Sequence, residues 1–219
     1  MAEGVTARIV PDDAAGRAEA VDVLRAGGIV ALPTDTVYGL AVDLADPEAI
    51  ERLFAAKQRP ADRAVVLLLA EVGQAAELGT WPPAADALAA AFWPGALTLV
   101  VTQRAERHLP SELTGGRPTI GLRVPDHPSP RAIAAALGPL PVTSANVSGL
   151  PEAFDATEIR NQLGAAIELI LDGGGARGGT PSTVVDCSGA VPRILRAGSI
   201  SDDAIVRCLQ AAGLPGVEP

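Results

Sequence analysis

Apolar residues fall along this chain in short runs, parted by polar stretches that carry glycine and proline, and the runs alternate between two periods. Ala14 to Ala26 sets Val21, Leu24 and its alanines at helical spacing behind Asp12 and Asp13, and Gly27-Gly28 stops it. Ile29 to Leu32 then reads as a short buried strand ended by Pro33. Asp46-Pro47 starts a second helix with an acid at the cap and proline at the first position, and Ile50, Leu53 and Phe54 give its buried stripe. Pro60 disfavours helical geometry before it, so that helix ends near Gln58-Arg59.

The same alternation continues to the end of the chain. Val65 to Leu69, Leu97 to Thr102, Thr119 to Val124 and Leu140 to Thr143 read as strands, and Ala84 to Phe92 and Pro130 to Leu137 as helices. Thr157 to Leu163 is a helix, Ile167 to Leu171 and Thr183 to Cys187 are strands, and Ile194-Leu195 is an edge strand. Ser201 caps a last helix running to Ala212, with Gly213 as its stop. Strands alternating with helices over the whole length predict an α/β domain whose sheet is covered on both faces. Residues 1–213 form one domain and residues 214–219 a short tail, since no linker or internal repeat divides them.

Composition narrows the picture. Hydrophobic residues make up 48% of the chain and aromatics only 3%, so Val, Leu, Ile and Ala fill the core. The net charge of -9 argues against a protein whose main task is gripping nucleic acid, because that affinity comes from phosphate neutralisation by Lys and Arg. Cys187 and Cys208 are too few for a disulfide framework or a metal site and read as reduced thiols. The first residues carry no signal peptide, and the apolar runs Ala64 to Ala70 and Ala87 to Trp93 are too short to span a bilayer. The expected location is the cytoplasm, with no membrane partner.

Four polar segments leave the ends of apolar strands, where open α/β sheets bind ligands. Pro33-Thr34-Asp35-Thr36-Val37-Tyr38-Gly39-Leu40 places two hydroxyls around a carboxylate, suited to a small amine-bearing ligand or to a plain turn. Lys57-Gln58-Arg59 puts two cations at a helix end, where they either complement the helix dipole or hold phosphates. Thr143-Ser144-Ala145-Asn146-Val147-Ser148-Gly149 forms an anion-binding nest or an Asx-turn. The fourth is split between Pro181-Ser182-Thr183-Val184 and Leu195-Arg196-Ala197-Gly198. The glycine-rich stretch 173–179 lacks the Gly-Lys-Ser/Thr ending of a P-loop and reads as a loop. His108 and His127 read as surface or turn residues, no metal-ligand spacing appears, and no serine sits in a nucleophile elbow.

Taken together and in this order, the segments Pro33–Leu40, Lys57–Pro60, Phe92–Leu99, Ile120–Pro125, Thr143–Gly149, Pro181–Val185 and Ile194–Gly198 resemble the YrdC-like family of threonylcarbamoyl-adenylate synthases, in its short single-domain form. The resemblance implies a twisted open mixed sheet flanked by helices. It implies a nucleotidyltransferase that joins L-threonine, bicarbonate and ATP, with Mg2+ on the phosphates, and supplies a downstream tRNA-modifying transferase complex. By the same resemblance Lys57 and Arg59 face the phosphates as the catalytic pair, and Ser144, Asn146 and Arg196 complete the ATP site. Thr34, Arg123 and Ser182 hold threonine, with Arg123 on its carboxylate. Alanine stands at Ala64, Ala96 and Ala197 where the family has proline, which loosens backbone near the site. Two other readings follow from the resemblance: a paralogue that binds nucleotide or double-stranded RNA or tRNA with weak synthase activity, and a carbamoyl-transfer domain acting on another carbamate.

Overall fold

The computed structural model describes residues 6–57, 65–107, 109–176 and 179–217. The N-terminal half runs β1 (Arg8–Pro11), α1 (Ala14–Arg25), β2 (Val30–Leu32), β3 (Gly39–Ala41), α2 (Pro47–Lys57), β4 (Val66–Leu68), α3 (Gly73–Leu78), α4 (Pro83–Phe92) and β5 (Leu97–Thr102). The C-terminal half runs α5 (Ser111–Thr114), β6 (Thr119–Arg123), α6 (Pro128–Leu137), β7 (Leu140–Ser144), α7 (Ala156–Leu163), β8 (Leu169–Asp172), β9 (Thr183–Asp186), β10 (Arg193–Arg196) and α8 (Asp202–Ala211). Among the described residues the strands form one mixed sheet in the order β1-β8-β2-β3-β7-β4-β6-β5-β9-β10.

The caps explain where the helices begin. Asp13 accepts from the Gly16 amide at 2.8 Å, Asp155 from Glu158 at 2.9 Å and Ser201 from Ala204 at 3.3 Å. Asp46 accepts from the amides of Glu48 and Ala49, the two-donor pattern of an N-cap acid. His127 proves to be a buried cap rather than a surface residue, its Nδ1 accepting from the Ser129 amide. His108 lies outside the described residues. Cys187 is buried and Cys208 half-buried, both unbridged.

Alternation along each strand sorts its side chains onto two faces. One face packs Ala31, Leu67, Leu97, Leu99, Leu122, Ile170 and Val185 against α2, α4, α7 and α8 in a single aliphatic core. On the other face, α1 and α6 cover Val30, Leu32, Ala41, Leu140, Leu169 and Leu171. That cover stops near β4, so the sheet is not covered on both faces throughout. From β4 to β10 the second face carries Thr98, Val100, Gly121, Arg123, Val184 and Leu195, and it forms the floor of a cleft.

β1, β3, α3 and α5 do not stand out in the hydrophobic pattern. β1 and β3 are only four and three residues long, and β3 sits inside the polar Pro33–Leu40 segment. Leu214 and Val217, in the stretch read as a tail, rest against the larger core. No described helix is long and apolar enough to cross a membrane.

Candidate active site

The cleft has a volume of about 590 Å³ and opens along the uncovered half of the sheet. Thr34, Arg123, Ser144, Ser182 and Arg196, drawn from five segments of the chain, all line it. Thr34, Arg123, Ser144 and Arg196 stand at or just after the ends of their strands, the position at which such sheets bind ligands, and Ser182 stands just before β9.

Arg123 closes β6 and is only 5% exposed. Its Nη2 donates to Asp35 Oδ1 at 2.6 Å, its Nη1 to Thr36 Oγ1 at 3.0 Å and its Nε to the Gly95 carbonyl at 3.0 Å. Burial pulls the guanidinium below its ordinary value, the Asp35 carboxylate opposes that shift, and the charge of Arg196 adds to it. The Trp93-Pro94-Gly95 turn that supplies one acceptor is tied to β6 through the Gly95 amide and the Val124 carbonyl, 2.9 Å apart.

Thr34 folds its own loop as well as facing the cleft. Its Oγ1 donates to the Val37 carbonyl at 2.6 Å and accepts from the Thr36 amide at 3.1 Å. The next anchor is Tyr38, whose Oη donates to the Gly174 carbonyl and accepts from the Gly173 amide, fastening the glycine-rich loop to the start of β3.

Ser182 and Arg196 are held together. Arg196 donates through Nε and Nη2 to the Ser182 carbonyl and through Nη2 to Ser182 Oγ, which also meets Thr98 Oγ1 at 2.9 Å. A β-bulge makes this possible. β10 pairs Arg193 with Asp186 and Ile194 with Val185, then shifts so that Arg196 pairs with Val184. The extra residue sets Leu195 and Arg196, consecutive in sequence, on the same cleft. Burial pulls Arg196 below its ordinary value and the charge of Glu152, across the cleft, opposes it.

Lys57 is placed differently from a cation at an open helix end. It is 1% exposed, among the largest fully buried side chains. Its ammonium donates to the Ser144 carbonyl, to Ser144 Oγ at 3.2 Å and to Asn146 Oδ1 at 3.1 Å. Asn146 in turn ties down the turn after β7 through Nδ2, which donates to the carbonyls of Val147 and Leu150. Lys57 and Asn146 therefore meet the cleft through Ser144. Arg59, the second of the expected catalytic pair, lies outside the described residues, as do Arg63 and Ala64.

Sequence reasoning read Asp35 and Thr36 as part of a ligand-holding segment or a plain turn, but not as partners of Arg123, which lies 88 and 87 residues away. It gave no place to Thr98 and Glu152, which line the same cleft. For Thr98 a signal exists, because it is a polar residue on the minor face of the alternating strand Leu97–Thr102. Nothing comparable marks Glu152. Among the described residues no group of three His, Cys, Asp or Glu side chains could hold a metal ion.

The family Sua5/YciO/YrdC, described as "Telomere recombination", matches residues 22–198. A protein of Alkalilimnicola ehrlichii named threonylcarbamoyl-AMP synthase is 42% identical over 176 residues, covering 78% of this chain and 90% of that one. One of the same name from Bacillus subtilis is 37% identical over 190 residues, covering 86% of this chain and 55% of that one. Among solved structures, Pyrococcus abyssi Sua5 complexed with L-threonine superposes with a TM-score of 0.86 at 34% identity. It matches 93% of this chain, which spans only 60% of the Pyrococcus chain.

Proposed function

This chain belongs to the Sua5/YciO/YrdC family, and from that premise we propose that its cleft makes threonylcarbamoyl-AMP from L-threonine, bicarbonate and ATP. The observation that carries the reading is the convergence of Thr34, Arg123, Ser144, Ser182 and Arg196 on one cleft, in a chain similar to a Sua5 solved with L-threonine.

In this reaction the threonine amine and bicarbonate give a carbamate and water. A carbamate oxygen then attacks the α-phosphorus of ATP, and the bond to the bridging oxygen breaks to release pyrophosphate. The work left to the protein is positioning and charge stabilisation rather than covalent catalysis. Arg123 receives the threonine carboxylate on the N–H groups that its present partners leave open, and Thr34 and Ser182 fix the rest of the amino acid. Arg196 and Ser144 address the nucleotide, and Arg59 is assigned to its phosphates from the family motif alone. Lys57 adds its charge from behind Ser144 and fixes the Ser144–Asn146 turn.

Magnesium enters with ATP. Such an ion keeps phosphate and water ligands and needs no cage made of protein groups alone. Bound there, it would neutralise phosphate charge, a task the cleft residues otherwise share through Arg196 and Lys57. The adenylate is unstable by design and calls for a consumer, so the product passes to a tRNA-modifying transferase complex in the cytoplasm. The test is pyrophosphate release by the purified chain in bicarbonate and magnesium. Release that needs both L-threonine and bicarbonate supports the proposal, and ATP binding without threonine-dependent release removes it.

A further inference from the structure

Three consecutive residues after β2 divide their work. Thr34 and Thr36 line the cleft, while Asp35 between them forms an ion pair with Arg123 in which the two side chains are only 14% and 6% exposed. Arg123 meets three acceptors from two segments: Asp35, Thr36 and the Gly95 carbonyl. A guanidinium has five N–H donors in a fixed plane. The three bonds engage one donor on each nitrogen and leave one N–H on each terminal nitrogen for a ligand.

We propose that Asp35, with Thr36, is a positioning clamp that holds the Arg123 guanidinium ready for the carboxylate of the amino-acid substrate. The inference rests on the reading of Arg123 as the group that receives that carboxylate. An arginine left to itself would have to give up side-chain freedom at each binding event, whereas one already fixed in plane gives up none. The clamp also offsets a charge that would otherwise stand buried and uncompensated beside Arg196. Substrate entry then turns the ion pair into a carboxylate–guanidinium–carboxylate row, with no rearrangement of the strand end. Asp35 acts through Arg123 and does not touch the reacting atoms.

The test compares Asp35→Asn and Thr36→Val with the full wild-type chain, using calorimetric titration of L-threonine and steady-state pyrophosphate release. Asp35→Asn is expected to weaken threonine binding at least tenfold and to raise the KM for threonine in step, with kcat and the KM for ATP within about threefold. Thr36→Val should weaken threonine binding in the same direction by a smaller factor. In an Arg123→Ala background, Asp35→Asn should add nothing, since residues that act as one unit are not additive. A merely structural acid would lower the melting temperature while leaving the threonine and ATP constants in their wild-type ratio.

Wild-type threonine affinity in Asp35→Asn overturns the clamp, as does an undiminished effect in the Arg123→Ala background. If Asp35→Asn does not fold, Thr36→Val decides, and unchanged threonine affinity there overturns it. An active wild type with an unchanged Asp35→Asn removes the clamp alone. A wild type that neither binds threonine nor releases pyrophosphate removes the functional reading and the clamp with it.

Discussion

At the scale of single residues, Lys57 shows how far position alters the meaning of a side chain. Its place at the end of α2 suggests a cation complementing the helix dipole, yet it is buried and gives its ammonium to Ser144 and Asn146. Lys57→Ala should therefore fail twice. It should abolish threonine-dependent turnover, and it should cost about 2–4 kcal/mol in a urea unfolding series, because it leaves a cavity and removes the three hydrogen bonds that the ammonium gives to Ser144 and Asn146. Unfolding equal to the wild type would show that the buried contacts carry little. The polar pattern alone left Thr34, Ser144, Ser182 and Arg196 in segments that read equally as turns, and only the family resemblance gave each of them a place in a site. The roles of Asp35 and Thr36 were not readable, since a pair 88 residues apart has no local pattern.

At the scale of elements, two junctions set the site. Gly198 follows β10 and lies against the backbone of the segment entering β9: a Cβ there would stand 2.4 Å from the Pro181 oxygen and 2.5 Å from the Ser182 carbon and Thr183 nitrogen. Gly198→Ala must push apart the strands that carry Ser182 and Arg196, at a cost of about 1–3 kcal/mol for an overpacked site. Threonine-dependent turnover should fall at least tenfold with far-UV circular dichroism unchanged, and wild-type turnover would contradict the close packing.

The second junction joins β1, α1 and α6, where Asp12 accepts from Arg17 Nε at 2.8 Å and from Ser129. Burial, the largest effect, pushes the Asp12 carboxyl up, but the hydrogen bonds from Arg17 and Ser129 and the charges of Arg17 and His127 together hold it below 3.8. A depressed carboxyl adds stability that is complete above the unfolded value of about 3.9 and is lost as pH falls through the lower folded value. Asp12→Asn should therefore lower the Tm at pH 7, with the gap to wild type closing below about pH 4. A gap that persists undiminished into acid would contradict this. Periodicity revealed the longer elements, but the three-residue β3 and the bulge in β10 arise from pairing with distant strands, which no local window contains.

At the scale of the whole molecule, the site exists because the helices stop short. α1 and α6 cover the sheet from β8 to β7, and the uncovered remainder from β4 to β10 is a floor on which polar and small residues replace the aliphatic ones. The strand pattern pointed to an α/β sheet but not to this asymmetry, because a strand buried on both faces and one facing a narrow cleft look alike over three to five residues. The net charge of -9 leaves the arginines of the cleft as a local basic feature on an acidic molecule, which favours a small anionic ligand over a long phosphate backbone.

In the function proposed here, the cleft joins threonine, bicarbonate and ATP into one product. The most direct test of that function is to incubate the purified chain with ATP, magnesium, L-threonine and 13C-bicarbonate and to follow the adenylates by chromatography and mass spectrometry. The expected product is a threonine-bearing adenylate that carries the 13C label, absent without threonine and absent from Lys57→Ala. An adenylate lacking the label, or none at all from a folded protein that binds ATP, would contradict it.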